Sequence, residues 1–186
     1  MPYLIAFIFL FPTAVFSQSF TASLDADFTA DGLIDRAQLV ETATGGFADL
    51  KIWHRQADDD LVLETTALDF VWVGGEAEKP LLFPSKNGGL EVFSINREIP
   101  RAFWDQKLII NWHSGGFAVT GFTYNWRDMD KEITYTCKAD LLAAEISFSQ
   151  QANGVTDGVV NKTGLNPIAL ASWDLPFPKE CEPVSY

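Results

Sequence analysis

Beyond residue 17, apolar and polar positions alternate along most of the chain with a period of two. Lys107-Leu108-Ile109-Ile110-Asn111-Trp112-His113 puts Leu108, Ile110 and Trp112 on one face of an extended strand. Leu90-Glu91-Val92-Phe93-Ser94-Ile95 and Phe117-Ala118-Val119-Thr120-Gly121-Phe122-Thr123-Tyr124 behave alike, and Leu50–Trp53 and Leu61–Glu64 are shorter candidates. Gly45-Gly46, Asp58-Asp59-Asp60, Gly74-Gly75, Asn87-Gly88-Gly89 and Ser114-Gly115-Gly116 break these runs as turns do, the last predicting a hairpin. Only Asp140–Glu145 is built of good helix formers, and it is too short to decide on a helix.

This pattern predicts an all-β chain, organised as an open sandwich-like or partial β-propeller-like antiparallel domain. A closed propeller needs at least about four blades of roughly 40–50 residues. The sequence shows no repeat of fixed period, so the open arrangement is preferred. Residues 1–17 read differently. The apolar run Tyr3–Phe11 is followed by small residues, with Val15 and Ser17 at the −3 and −1 positions of a cleavage site. The expected division is therefore a signal peptide at 1–17 and one domain at 18–186, with no membrane insertion after cleavage; a short membrane anchor is the competing reading, but a span needs about 20 apolar residues and this run stops sooner.

Charge narrows the partners. The chain carries 13 Lys and Arg against 25 Asp and Glu, a formal net charge of −12. Nucleic acid and anionic lipid, which require a cationic footprint, are disfavoured. A cation or a basic protein partner suits the balance. Cys137 and Cys181 form an even pair in a chain expected to be periplasmic or secreted, which points to a disulfide. Closing that loop would stabilise by about 4 kcal/mol on the chain-entropy account.

The stretch with recognisable chemistry is Asp27-Phe28-Thr29-Ala30-Asp31-Gly32-Leu33-Ile34-Asp35. Acidic side chains at its positions 1, 5 and 9, with Gly at 6 for a sharp turn, can wrap oxygens around a calcium ion. The alternative is an Asp-Gly turn whose carboxylates accept backbone N–H groups. The loop and the alternating run after it resemble the Asp-Phe-Asn-Gly-Asp-Gly-x-x-Asp loop of FG-GAP/VCBS repeats. That resemblance implies a weak calcium site with Asp27, Thr29, Asp31 and Asp35 giving side-chain oxygens and Leu33 its carbonyl. Thr29 stands where the family prefers Asn or Asp, and Ala30 where it has Gly, so the implied affinity is low.

No HExxH, GxSxG or Walker-type loop is present, and the two histidines, His54 and His113, sit in separate strand-like runs. Among six tryptophans, Trp126 is the candidate for an exposed ligand-stacking platform. The expectation is an exported non-enzymatic binding module with a weak calcium loop and a protein or surface partner. Its alternatives are a periplasmic inhibitor or immunity protein covering a basic hydrolase, and a carbohydrate-binding module.

Overall fold

The structure, a computed structural model, describes residues 21–152, the backbone of 155–162, and 164–173. The expected leader and Cys181 lie outside the described residues. Four strands make the smaller sheet: β1 (Thr21–Ala26), β2 (Asp35–Glu41), β3 (Phe47–Arg55) and β4 (Leu61–Trp72), paired in sequence order. The larger sheet continues as β5 (Leu81–Pro84), β6 (Leu90–Asn96), β7 (Ala102–His113), β8 (Gly116–Asp128), β9 (Ile133–Asp140), β10 (Glu145–Ala152) and β11 (Val155–Lys162). A final two-residue strand, β12 (Ile168–Ala169), pairs with β8 at Ala118 and Val119. Every pairing is antiparallel.

The alternation decides which face is buried. Ala37 and Leu39 of β2, Ala48, Leu50 and Ile52 of β3, and Ala67 and Phe70 of β4 turn inward from the smaller sheet. Leu90, Val92, Leu108 and Ile110 meet them from the larger one, and all belong to one continuous core. Fully burying each large aliphatic side chain contributes about 1.5–3 kcal/mol. The sheets are not closed into a barrel: β1 adjoins β5 without pairing to it, and the 3₁₀ turn Leu170–Ser172 tucks against β4 on the other side. An open all-β sandwich is thus the arrangement realised.

Two ring contacts align the sheets. His54 lies 5.9 Å from Trp112, and Trp72 lies 5.7 Å from Trp104. The end of β3 therefore sits over the end of β7, and the end of β4 over its start.

Departures from strict alternation have local causes. In β8 the inward positions are Phe117 and Val119, then Phe122, a change of parity. Thr120 is the extra residue: Ile109 pairs with Gly121 but Ile110 with Val119. Such a bulge lets both apolar sets face one core. The bulged Thr120 hydroxyl donates to Asn111 Oδ1 at 2.7 Å, and Thr120 O accepts the Leu141 N–H at 2.9 Å. The edge strand β4 has two register breaks, and at one of them Asp69 adopts φ 47° while its N–H bonds to Asp49 Oδ1. Breaks of this kind blunt an edge against further pairing. The hairpin expected at Ser114-Gly115-Gly116 is present, and its turn is the two residues Ser114 and Gly115, with φ of 53° and 84°, between β7 and β8. The run of helix formers at 141–144 is instead the β9–β10 turn, held by Asp140 Oδ1, which accepts the N–H groups of Leu142 and Ala143 at 3.0 Å.

In the β5–β6 turn, a Cβ on Gly89 (φ 95°) would collide with Ile110 O and the Asn111 amide, whereas one on Gly88 (φ 75°) would meet nothing. Gly89→Ala is expected to destabilise by about 2–4 kcal/mol, the left-handed backbone adding to the clash. Gly88→Ala should cost only about 1–2 kcal/mol, from backbone conformation alone. Urea unfolding of the two variants checks the difference.

Candidate functional site

The Asp27–Asp35 loop joins β1 to β2, and its carboxylates are turned to N–H donors. Asp27 Oδ2 accepts the Gly32 N–H at 2.9 Å and Oδ1 that of Asp31 at 3.3 Å. Asp31 Oδ1 accepts the Leu33 N–H at 2.8 Å. Asp35 is fully buried: Oδ2 accepts the Phe28 N–H at 2.9 Å and the Thr29 hydroxyl at 3.3 Å, while Oδ1 accepts the Arg55 N–H at 2.9 Å. Gly32 takes φ 87°, and Ala30 takes φ 62°, a conformation that favours glycine.

Two residues of β3, not legible as loop partners in the sequence, complete this end of the molecule. His54 Nε2 lies 2.9 Å from Asp31 Oδ2. The hydrogen bond to Asp31 is the main cause that raises the His54 imidazole above its ordinary value, and burial opposes it. The same bond, followed by that from Leu33, lowers the Asp31 carboxyl. Arg55 reaches the other way: Nε donates to Ile34 O at 2.8 Å, and Nη1 to Asp59 O and Oδ1 at 2.9 and 2.7 Å. It thereby ties the loop to the Asp58-Asp59-Asp60 turn. Arg36 and Asp25 form a bidentate pair at 2.8 Å across β2 and β1.

The carboxylates of this loop are engaged by protein groups. Asp35 points into the protein, Asp31 is shared with His54, and among the described residues no group of three or more His, Cys, Asp or Glu is arranged to hold a metal ion. Asp27, Thr29, Asp31, Leu33 and Asp35 instead form a turn closed by its own N–H groups and by β3.

Other expected residues fall elsewhere. Trp126 is half-buried on the inward face of β8, packed against the core. Cys137 is fully buried in β9, and the pairing expected for it involves Cys181, outside the described residues. His113 is exposed at the β7–β8 turn, at the end of the same strand as Trp112. On the outer face of the larger sheet a shallow trough of about 530 Å³ runs over Lys107, Thr123 and Lys138. Beside it Asn125 donates to Asp105 at 2.7 Å and accepts from Thr136 at 2.9 Å, so those groups satisfy one another across three strands.

Buried polar groups between the sheets were missed in the sequence. Ser94 and Gln106 are directly opposite on β6 and β7, 1% and 3% exposed, and among the described residues Ser94 Oγ and Gln106 Nε2 have no hydrogen-bond partner. Glu78, in the 3₁₀ turn Glu76–Glu78, accepts the Arg97 N–H through Oε1 at 2.9 Å, while its buried Oε2 has no partner among the described residues. Ser94 lies in phase with Leu90 and Val92, and Gln106 with Leu108 and Ile110. A polar residue at the core phase of a strand is the signal that could have found them.

Compared with known families, curated proteins and solved structures, the chain gives no significant match.

Two measurements check the loop. Millimolar calcium is expected to leave the Tm unchanged, because an ion bound to the native state alone would raise it; a rise would show that the carboxylates re-aim around the ion. The raised His54 basicity makes its pairing with Asp31 stabilising below the ordinary imidazole value of 6.5, and that contribution is lost as pH rises through the raised folded value. At the acid limit it is lost as pH falls through the lowered Asp31 value. The Tm difference between the wild type and His54→Gln should therefore shrink as pH rises from about 6 to 9. Both side chains are partly exposed, at 26% and 37%, so the difference is expected to be small.

Proposed function

We propose that the chain is an exported, non-enzymatic binding module that engages a basic protein partner through the acidic end of its smaller sheet. The observation that carries this reading is Arg55, whose contacts bring two acidic segments, 27–35 and 58–60, to one end of the sandwich. Asp31, Asp58, Asp59, Asp60 and Glu64 are exposed there.

Apolar surface lies among these acids. Ile34 beside Arg55 is 49% exposed, and on the first turn of the edge strand β4, Val62 and Leu63 are 42% and 50% exposed. An apolar centre with a charged rim is the usual anatomy of a protein interface. The rim sets encounter rate and its salt dependence, and the centre sets the lifetime of the complex. Export rests on the apolar leader at residues 1–17. The net charge of −12 supports a basic partner, and a basic periplasmic or secreted hydrolase is the partner class that makes the module an inhibitor.

Interferometry against a panel of basic lysozyme-type hydrolases provides the test. Association is expected to slow about tenfold or more between roughly 50 and 500 mM salt. Leu63→Asp should speed dissociation without lowering the Tm, and the combined Asp58→Asn, Asp59→Asn, Asp60→Asn variant should slow association. Binding that ignores salt and both changes, or no binder in the panel, would overturn the proposal.

A further inference from the structure

We infer that the opposite end of the sandwich, where the strands bring Glu78, Ser94 and Gln106 to the neighbourhood of Trp72, Trp104 and Tyr124, binds a small organic cation bearing a hydroxyl or carbonyl group. This site is independent of the acidic partner surface at the other end.

Ring contacts and strand register relate these groups to one another. Gly74 has no room for a Cβ because both the Trp72 ring and Glu78 Cβ crowd that point, which places the Glu78 side chain against Trp72. Trp72 meets Trp104 edge-on, with ring centroids 5.7 Å apart and planes inclined by 65°. Trp104 lies 6.1 Å from Tyr124, Tyr124 pairs in register with Gln106, and Gln106 with Ser94. The three rings are half-buried, whereas the three polar side chains are at least nine-tenths buried.

The chemistry these groups lack defines what they would accept. A buried carboxylate oxygen without a partner is costly, and no ion pair is made to Glu78 among the described residues. A ligand cation would supply the missing charge, and tryptophan faces attract cations through the ring quadrupole. Gln106 Nε2 is a donor without an acceptor, and Ser94 Oγ can donate or accept. A hydroxyl or carbonyl on the same ligand would satisfy them. Burial, followed by the charge of Asp105 and then Tyr135, pushes the Tyr124 hydroxyl up to about 12, so this ring remains neutral and does not repel an anionic neighbour.

Calorimetry and NMR of the Trp72 and Trp104 indole N–H signals test the inference on the full chain. Choline, a quaternary ammonium with a hydroxyl, is the probe, and 3,3-dimethyl-1-butanol is its uncharged isostere. Choline is expected to bind saturably and shift both indole signals, with the isostere about tenfold weaker or worse. Glu78→Gln should weaken choline by a similar factor, and Gln106→Leu should weaken it while removing an unpaired donor. No saturable binding of choline, or equal binding of its isostere, overturns the inference without recourse to any variant. A Gln106→Leu protein that is more stable and binds choline unchanged would also overturn it, by showing the donor to be a structural cost alone.

Discussion

One buried carboxylate organises the acidic end of this sandwich. Asp35 has no exposed surface, and it accepts hydrogen bonds from the β1–β2 loop through Phe28 and Thr29 and from β3 through Arg55. An ionised group in such a position is tolerable only when its oxygens are met by donors, and hydrogen bonds to charged acceptors are the stronger kind. The loop thereby acquires a fixed origin at the first residue of β2. Phe28, the residue whose N–H it holds, inserts its ring into the core, so polar and apolar anchoring coincide.

The strand framework was legible because a sheet with one covered face must alternate, and β6, β7 and the hairpin at Ser114-Gly115 follow that rule. Even the bulge at Thr120 leaves a trace, in the parity change between Val119 and Phe122. The fate of the aspartates was less legible. Carboxylate spacing specifies that oxygens can gather, but N–H groups and a cation compete for the same lone pairs. The deciding partners, His54 and Arg55, arrive from a strand about twenty residues further along. Trp126 shows the same limit: how far its ring is covered depends on the register of β8, which sequence alone does not give.

The two ends of the sandwich differ in how their buried polar groups are met. At one, charges are numerous, paired with one another and open to solvent, as with Arg36 and Asp25 or Arg55 and Asp59. At the other, exposed pairs such as Arg101 with Asp130 stand beside three enclosed polar side chains, Glu78, Ser94 and Gln106, each with one atom that has no hydrogen-bond partner among the described residues. Pairs of the first kind add little to stability, because water already solvates their members well. Enclosed atoms without a partner subtract from it, so each of them calls for an explanation.

Connectivity has a kinetic meaning. From β1 to β4 and again from β5 to β11, each strand pairs with the one that follows it in the chain. Ladder formation then closes only short loops, and such contacts are reached quickly from an unfolded state. The step that brings distant segments together is the docking of one completed meander on the other, with His54 meeting Trp112 and Trp72 meeting Trp104. A chain wired in this way can zip hairpin by hairpin from its amino end, in the order in which a ribosome or a secretion pore would release it.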